Sequence, residues 1–331
     1  MKFLRGALIA CLMALCGWIL LAIFAPTEPA AAPQEFTSSN QCRDCHAQVF
    51  DEWQSSWHAQ AWDDPDVRAL SDNFSNTDCI DCHAPRPVFE TGIGKRVLPR
   101  SSRRSEGVDC IACHALAGGG VAGTIQNPRV ACAPVTQVEL QRPEFCGVCH
   151  DQHKTVQEWK ASSYPSQGVG CIDCHMPYRG GDPQAGRDHT CRGGHDMELV
   201  RSAVELRARR EGHEWVIEIE NVGAGHSFPT DERSRAADLF WRPLAGTASA
   251  ASTSEPWRRA HRIRSPYRYE VGVVDNLLLA HEVREIRLAG EGAGGAIELA
   301  LFYKLTPYYK DPEHPDPETE AHLIQRLELV P

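Results

Sequence analysis

Alternation of apolar and polar residues is confined to the chain beyond about residue 200. Residues 214–220 read EWVIEIE and residues 296–305 read AIELALFYKL, and both fit half-buried strands whose side chains point to opposite faces in turn. Residues 270–279 and 323–330 are further strand candidates, with turn-rich punctuation at 221–225 and 312–317. Several short strands within roughly 130 residues predict an antiparallel β-sandwich over 200–331. Residues 198–210 fit a helix that joins this part to what precedes it. Gly290, Gly292 and Gly295 satisfy a G-x-G-x-x-G spacing, but that fingerprint needs a helix next and the sequence supplies a strand, so a hairpin turn is expected.

From 38 to 197 the texture is different. The segment is rich in Cys, His, Gly and Pro, and long hydrophobic periodicity is missing. Such a stretch cannot bury enough apolar surface to offset the conformational entropy of ordering it. Something other than an aliphatic core must hold it, and its helices should be short. Ahead of it, Lys2 and Arg5 precede an unbroken run of 19 apolar residues, 7–25, and a Pro/Ala-rich stretch, 26–33. A positive flank before an apolar run directs export. The run reaches the length of a membrane span, and the A-x-A site at 30–32 would leave Pro33 directly after a cut, so 1–33 reads as a retained signal-anchor in preference to a cleaved signal peptide.

Five copies of Cys-x-x-Cys-His explain the middle segment: Cys42/Cys45/His46, Cys79/Cys82/His83, Cys110/Cys113/His114, Cys146/Cys149/His150 and Cys171/Cys174/His175. Two cysteines three apart share one face of a helical turn, so their sulfurs can form thioethers to the two vinyl groups of one porphyrin. The adjacent His then offers its imidazole to the iron. Zinc ribbons need two cysteine pairs per metal, and zinc gives no reason for a His after every pair. A thioredoxin-type dithiol would occur once, beside a βαβ unit. The five motifs therefore predict five covalently attached haems c, whose faces replace the missing core. The fold class that follows is mixed: a mostly helical and irregular multihaem cytochrome c domain over 38–197, then the β-sandwich.

The motifs sit in repeats. The stretch from Cys42 reads CRDCHAQVFDEWQSSWH and the stretch from Cys146 reads CGVCHDQHKTVQEWKASSY, with two extra residues in the second. Gly107-Val108-Asp109-Cys110 is echoed by Gly168-Val169-Gly170-Cys171.

Ten histidines remain after the five motifs, and they are the source of ligands for the opposite iron faces. His58 is too close to its own motif to fold back on it and should serve a neighbouring haem. Tyr164 is its counterpart in the second repeat, where His153, inside the insertion, is the substitute candidate. His189 and His195 share the Gly-rich loop HTCRGGH, and His226 lies in the turn GHSFPT after the first expected strand, from which it would tie the two parts together. Cys132 and Cys191 lie outside the motifs, and the sequence leaves open whether they pair. The net charge of −10, without basic runs, excludes nucleic acid as a partner and suits docking to a basic patch on a redox protein.

The segment Cys42 to His58, with its Trp and S-x-H, resembles the opening of the cytochrome c-552/4 (tetrahaem cytochrome c) domain, and the segment Gly168 to Pro177 is similar to its closing haem segment. His189 to His195 followed by NVGAGHSFPT resembles exported multihaem cytochromes that carry a β-sandwich. Asp231 and Cys191 depart from the pattern, where Gly and an aromatic or apolar residue are usual. The resemblance implies periplasmic electron transfer through low-spin bis-histidine haems. The expected function is an electron carrier between a membrane or soluble donor and an acceptor. Its partners would be redox proteins, a membrane quinol-oxidising complex among them, and the N-terminal helix would hold it to the inner membrane. The alternative is a reductase of a small nitrogen or sulfur oxyanion with one open iron; all five motifs keep their His, which favours the carrier.

Overall fold

The computed structural model describes residues 35–230, 234–244, 255–266, 270–288 and 295–331. The apolar run 7–25 lies outside them, as do Gly290, Gly292 and Asp231. Among the described residues no helix is long and apolar enough to cross a membrane.

Up to residue 203 the chain is a succession of short helices and loops, the longest helix, Ala47–Ser55, having 9 residues. A two-stranded parallel ladder, β1 (Val121–Gly123) with β2 (Pro134–Thr136), interrupts them. Apolar clusters here are small: Phe74, Ile80 and Ala84 form one, and Val88, Val97 and Phe145 another. Polar staples do much of the remaining holding. Buried Arg100 donates to the carbonyls of Pro85 (3.0 Å), Arg103 (2.9 Å) and Gly107 (2.6 Å) and pairs with buried Asp109. Asp109 in turn caps the helix Cys110–His114 by accepting from the Ala112 N–H at 2.8 Å. A buried guanidinium that meets three carbonyls and a carboxylate leaves few donors unsatisfied, so the loop 99–109 is fixed without an aliphatic core.

The C-terminal part is antiparallel, as the alternation predicts. β3 (Val204–Glu211), β4 (Glu214–Asn221) and β7 (Val283–Leu288) form one sheet in the order β3-β4-β7. β5 (Ala236–Pro243), β6 (Arg258–Ile263), β8 (Ile297–Lys304) and β9 (His322–Leu329) form the other, in the order β6-β5-β8-β9. Leu206, Ile217 and Ile219 of the first sheet share a core with Leu239, Leu299, Leu301 and Ile324 of the second. All eight residues of β8 are buried, because its outer face is also covered: Ala300 and Phe302 pack with Phe240 and Tyr309 under Trp257.

Two expectations need correction. Residues 198–210 are not one helix: Met197–Ala203 is helical, and β3 follows at once. Leu206 and Ala208 alternate toward the core there and pair in register with Ile219 and Ile217, so burial overrides the helical reading. Residues 270–279 make no strand beyond a single bridge between Leu278 and Phe228. The Asn276 side chain takes the ladder's place, accepting from the Arg264 N–H at 2.9 Å and donating to the Arg262 carbonyl at 2.7 Å.

The open edges β3 and β9 are joined by one side chain. The Gln325 carboxamide accepts from the Leu206 N–H and donates to the Leu206 carbonyl, both at 2.9 Å. Gln325→Ala should lower the unfolding midpoint at a cost of about 1–3 kcal/mol, because two backbone groups of a buried residue lose their partner. Far-UV circular dichroism in guanidinium checks this, with Glu328→Ala on the exposed face as the near-neutral control.

Candidate haem-ligating sites

Four of the five motifs are carried by helical turns, as the thioether spacing requires. Cys110–His114 and Cys171–His175 are one-turn helices, Ile80–His83 continues a 3-10 turn that contains Cys79, and Pro143–His150 contains the whole fourth motif. The first motif differs. Cys42 ends a 3-10 turn, Cys45 lies in the open turn that follows, and His46 precedes the helix Ala47–Ser55 as its N-cap. Cys45 is exposed, whereas the other nine attachment cysteines are half-buried. The reason is its place between two elements, where no neighbouring helix or loop covers it. Its spacing is kept all the same, because the N–H groups of Cys45 and His46 both donate to the Cys42 carbonyl, at 3.3 and 2.9 Å.

Thiols of different motifs come within hydrogen-bonding reach of one another: Cys42 with Cys110, Cys82 with Cys149, and Cys146 with Cys171. Porphyrins attached at these sulfurs are therefore near neighbours. Cys132 and Cys191 form no disulfide; Cys132 stands near Cys42 and Cys191 near Cys113.

Three candidate ligands face a motif histidine. The ring centres of His58 and His150 are 6.0 Å apart, those of His114 and His189 6.3 Å, and those of His175 and His226 6.2 Å. A metal held between two imidazoles by bonds of about 2 Å sets their ring centres about 6 Å apart. The back of the ring is fixed as well. Nδ1 of His83 lies 2.8 Å from the Ala61 carbonyl, that of His114 2.8 Å from Ala122, and that of His175 2.5 Å from Arg192. On the facing side, Nδ1 of His189 lies 2.9 Å from the Arg187 carbonyl, and that of His226 3.0 Å from Ser227. A carbonyl can only accept, so Nδ1 carries the proton and Nε2 keeps its lone pair for a metal. Burial pushes His58 and His226 down to about 4 and lowers His114 and His189 too, so these rings are neutral at neutral pH, as ligands must be. The donor set fits haem iron.

The loops that present the facing histidines are held from outside the motifs. His58 sits on the one-turn helix Trp57–Gln60, capped by Ser56, and its carbonyl accepts from the Val108 N–H at 2.7 Å. His189 donates its N–H to Glu52 at 3.0 Å, and Glu52 is clamped in bidentate fashion by Arg179, at 2.6 Å to each oxygen. That ion pair holds the Glu52 carboxyl below the usual carboxylate range. His226 rides on a turn tied to both parts of the molecule. The Asn221 amide donates to the His226 carbonyl at 2.9 Å, and the Ser227 N–H donates to Glu158 at 2.9 Å.

The other candidates stand outside these pairs. His195 stacks on Trp57 with ring centres 3.7 Å apart, and its Nε2 accepts from Arg235 at 3.0 Å. His83 faces the Phe74 ring at 5.9 Å. Position 153 lies in the 3-10 turn Asp151–His153, whose Gln152 amide donates to Cys82 Sγ at 3.2 Å, beside the second motif.

The repeats seen in the sequence are also repeats of structure. Trp53 Nε1 donates to the Val108 carbonyl at 2.8 Å, and Trp159 Nε1 donates to the Val169 carbonyl at 3.1 Å. Ser56 and Ser162 each donate to the carbonyl of the Trp before them, at 2.6 and 2.7 Å. The His58 carbonyl accepts from Val108, and the Tyr164 carbonyl accepts from Val169 at 3.1 Å. One module therefore pairs motifs one and three, and its copy pairs motifs four and five. The carbonyl acceptors, Glu52, Arg179 and Gly107 were missed by sequence reasoning; only the recurring G-V-x-C and W-x-x-S signals pointed toward any of them.

The protein is a multihaem cytochrome c, with haem c as its covalently bound, iron-containing cofactor. Residues 41–115 match the family described as cytochrome c554 and c-prime. A cytochrome c-552 of Aliarcobacter butzleri (strain RM4018) is 24% identical over 181 residues, which span 40% of this chain and 36% of that relative, so the match spans about a third of the relative's length. Among solved structures, a penta-heme cytochrome c552 from Thermochromatium tepidum superposes with a TM-score of 0.63 over 92% of this chain and 100% of that one, at 19% identity, a likeness of fold.

Gly107 has φ +57, and a Cβ there would overlap the His58 carbonyl oxygen. Gly107→Ala should cost about 1–3 kcal/mol through backbone strain and overlap. It should also alter one low-spin signal in the electron paramagnetic resonance spectrum while the pyridine haemochrome count stays unchanged.

Proposed function

We propose that the protein is an electron carrier that works outside the cytoplasm. The observation that carries this reading is the set of three facing imidazole pairs, His58/His150, His189/His114 and His226/His175, each spaced for a metal between them. Haem iron supplies a reversible one-electron change when bound. The chain's own residues would hold three of the irons between pairs of imidazoles, keep four of those six rings from turning by Nδ1–carbonyl bonds, and set neighbouring attachment sulfurs close together. At those three irons a second strong ligand would leave no room for a substrate atom, which favours transfer over catalysis.

On this reading 38–197 is the haem-binding domain, and 200–331 is a β-sandwich that supplies His226. The run 7–25 directs export, as thioether attachment requires, and tethers the protein to the inner membrane. The acidic surface docks redox proteins, with a membrane quinol-oxidising complex as the donor. His46 and His83 hold the two remaining irons from the motif side; His153, the sequence's substitute for the ligand missing at Tyr164, lies in the turn beside Cys82 of the second motif.

In the haem-loaded full chain, His226→Ala should keep five haems by pyridine haemochrome and convert one from low to high spin. An unchanged low-spin count would remove His226 from the ligand set. For the parent protein, a large high-spin signal that exchanges with added cyanide would overturn the carrier reading in favour of a small-oxyanion reductase.

A further inference from the structure

The loop 187–196 reaches three ligand pairs at once. His189 faces His114, the Arg192 carbonyl fixes His175, and His195 lies against Trp57, the residue before His58. His195 is the odd one of the three. Its Nε2, the nitrogen that a metal would need, is occupied by the Arg235 guanidinium at 3.0 Å. A guanidinium only donates, so Nε2 is the accepting nitrogen, and the ring is neutral with its proton on Nδ1. Arg235 is itself tied down, donating to the Leu305 carbonyl at 2.7 Å. The imidazole then lies nearly flat on Trp57, with ring planes 23° apart.

The helix beneath it needs such an anchor. Trp57–Gln60 is a single turn, which is not stable by itself. Its start is held by Ser56, and the His58 carbonyl is held by Val108. The Trp57 side chain is 41% exposed and would otherwise be free to swing, carrying the direction of the neighbouring His58 with it. We propose that His195 is a positioning residue for His58: gripped by Arg235 of the β-sheet part and stacked on Trp57, it sets the angle at which the His58 ring meets the iron held by His150. The inference rests on reading His58 as that iron's second ligand. It differs from the sequence expectation, in which His195 is a ligand itself.

Three variants of the haem-loaded full chain test it: His195→Ala, His195→Phe and His58→Ala. Pyridine haemochrome, low-temperature electron paramagnetic resonance and a redox titration are read for each. His58→Ala should convert one haem to high spin and so identify its low-spin signal. His195→Ala should keep every low-spin haem, yet shift the g values of that same signal and the potential of that same haem. His195→Phe, which restores a flat ring on Trp57 without the Arg235 contact, should return the signal part of the way toward the parent. A new high-spin haem in both His195 variants would overturn the proposal and make His195 a ligand. Unchanged g values and potentials in His195→Ala would also overturn it. If His58→Ala leaves the low-spin count intact, the ligand reading of His58 fails separately, whatever the His195 variants do.

Discussion

The hydrogen bond from the back of an imidazole to a main-chain carbonyl, made by five of the histidines, is the interaction on which this haem-binding segment depends. A histidine ring has two nitrogens, and a metal can use one only if the proton sits on the other. Here the carbonyls of Ala61, Ala122, Arg187, Arg192 and Ser227 accept a hydrogen bond from Nδ1–H and so hold the proton there. These groups belong to loops, so the loops must be rigid although the segment has little aliphatic core. Rigidity comes from polar staples such as Arg100 with Asp109 and Arg179 with Glu52, and from glycines where the chain must pass close to itself.

The sheet part is tied to the haem-binding segment by specific contacts. His226 comes from the turn after β4, and Asn221 at the end of that strand holds its carbonyl. Arg235, just before β5, reaches His195. Glu158 and Ser227 complete the tie from the haem side. Displacing the two parts against each other would therefore disturb the ring that faces His175 and the ring that lies on Trp57.

The spacing of the cysteines and motif histidines was fully legible, because covalent attachment fixes it within one turn of chain. The surroundings of each were not: Cys45 carries the same sequence signal as the half-buried cysteines, yet it stands exposed on a turn. The strands β4, β8 and β9 were legible from alternation. Which histidine faces which was not, since His58 and His150 are brought together only by tertiary packing. β5 escaped notice because Ala236 to Phe240 is buried on both faces and so shows no period. The segment 270–279 was misread because its apolar residues are displayed, Val271 being 97% exposed, while Asn276 makes the cross-links a strand would make. His195 illustrates the remaining gap: a loop histidine beside a haem motif reads alike whether it meets iron or arginine.

The two modules end differently. In the first, His58 looks across at His150, the opening histidine of the next module. In the second, the counterpart Tyr164 has His281 of the sheet part lying flat against it, with ring centres 5.2 Å apart and planes 9° apart, while Ser163 bonds its Nε2 at 2.8 Å. A growing chain of duplicated modules would have to seat its next opening histidine at that spot. The His281 ring of the sheet part already lies there, much as a terminal repeat covers the open face of a solenoid. A further copy of the module could be seated there only by displacing that ring.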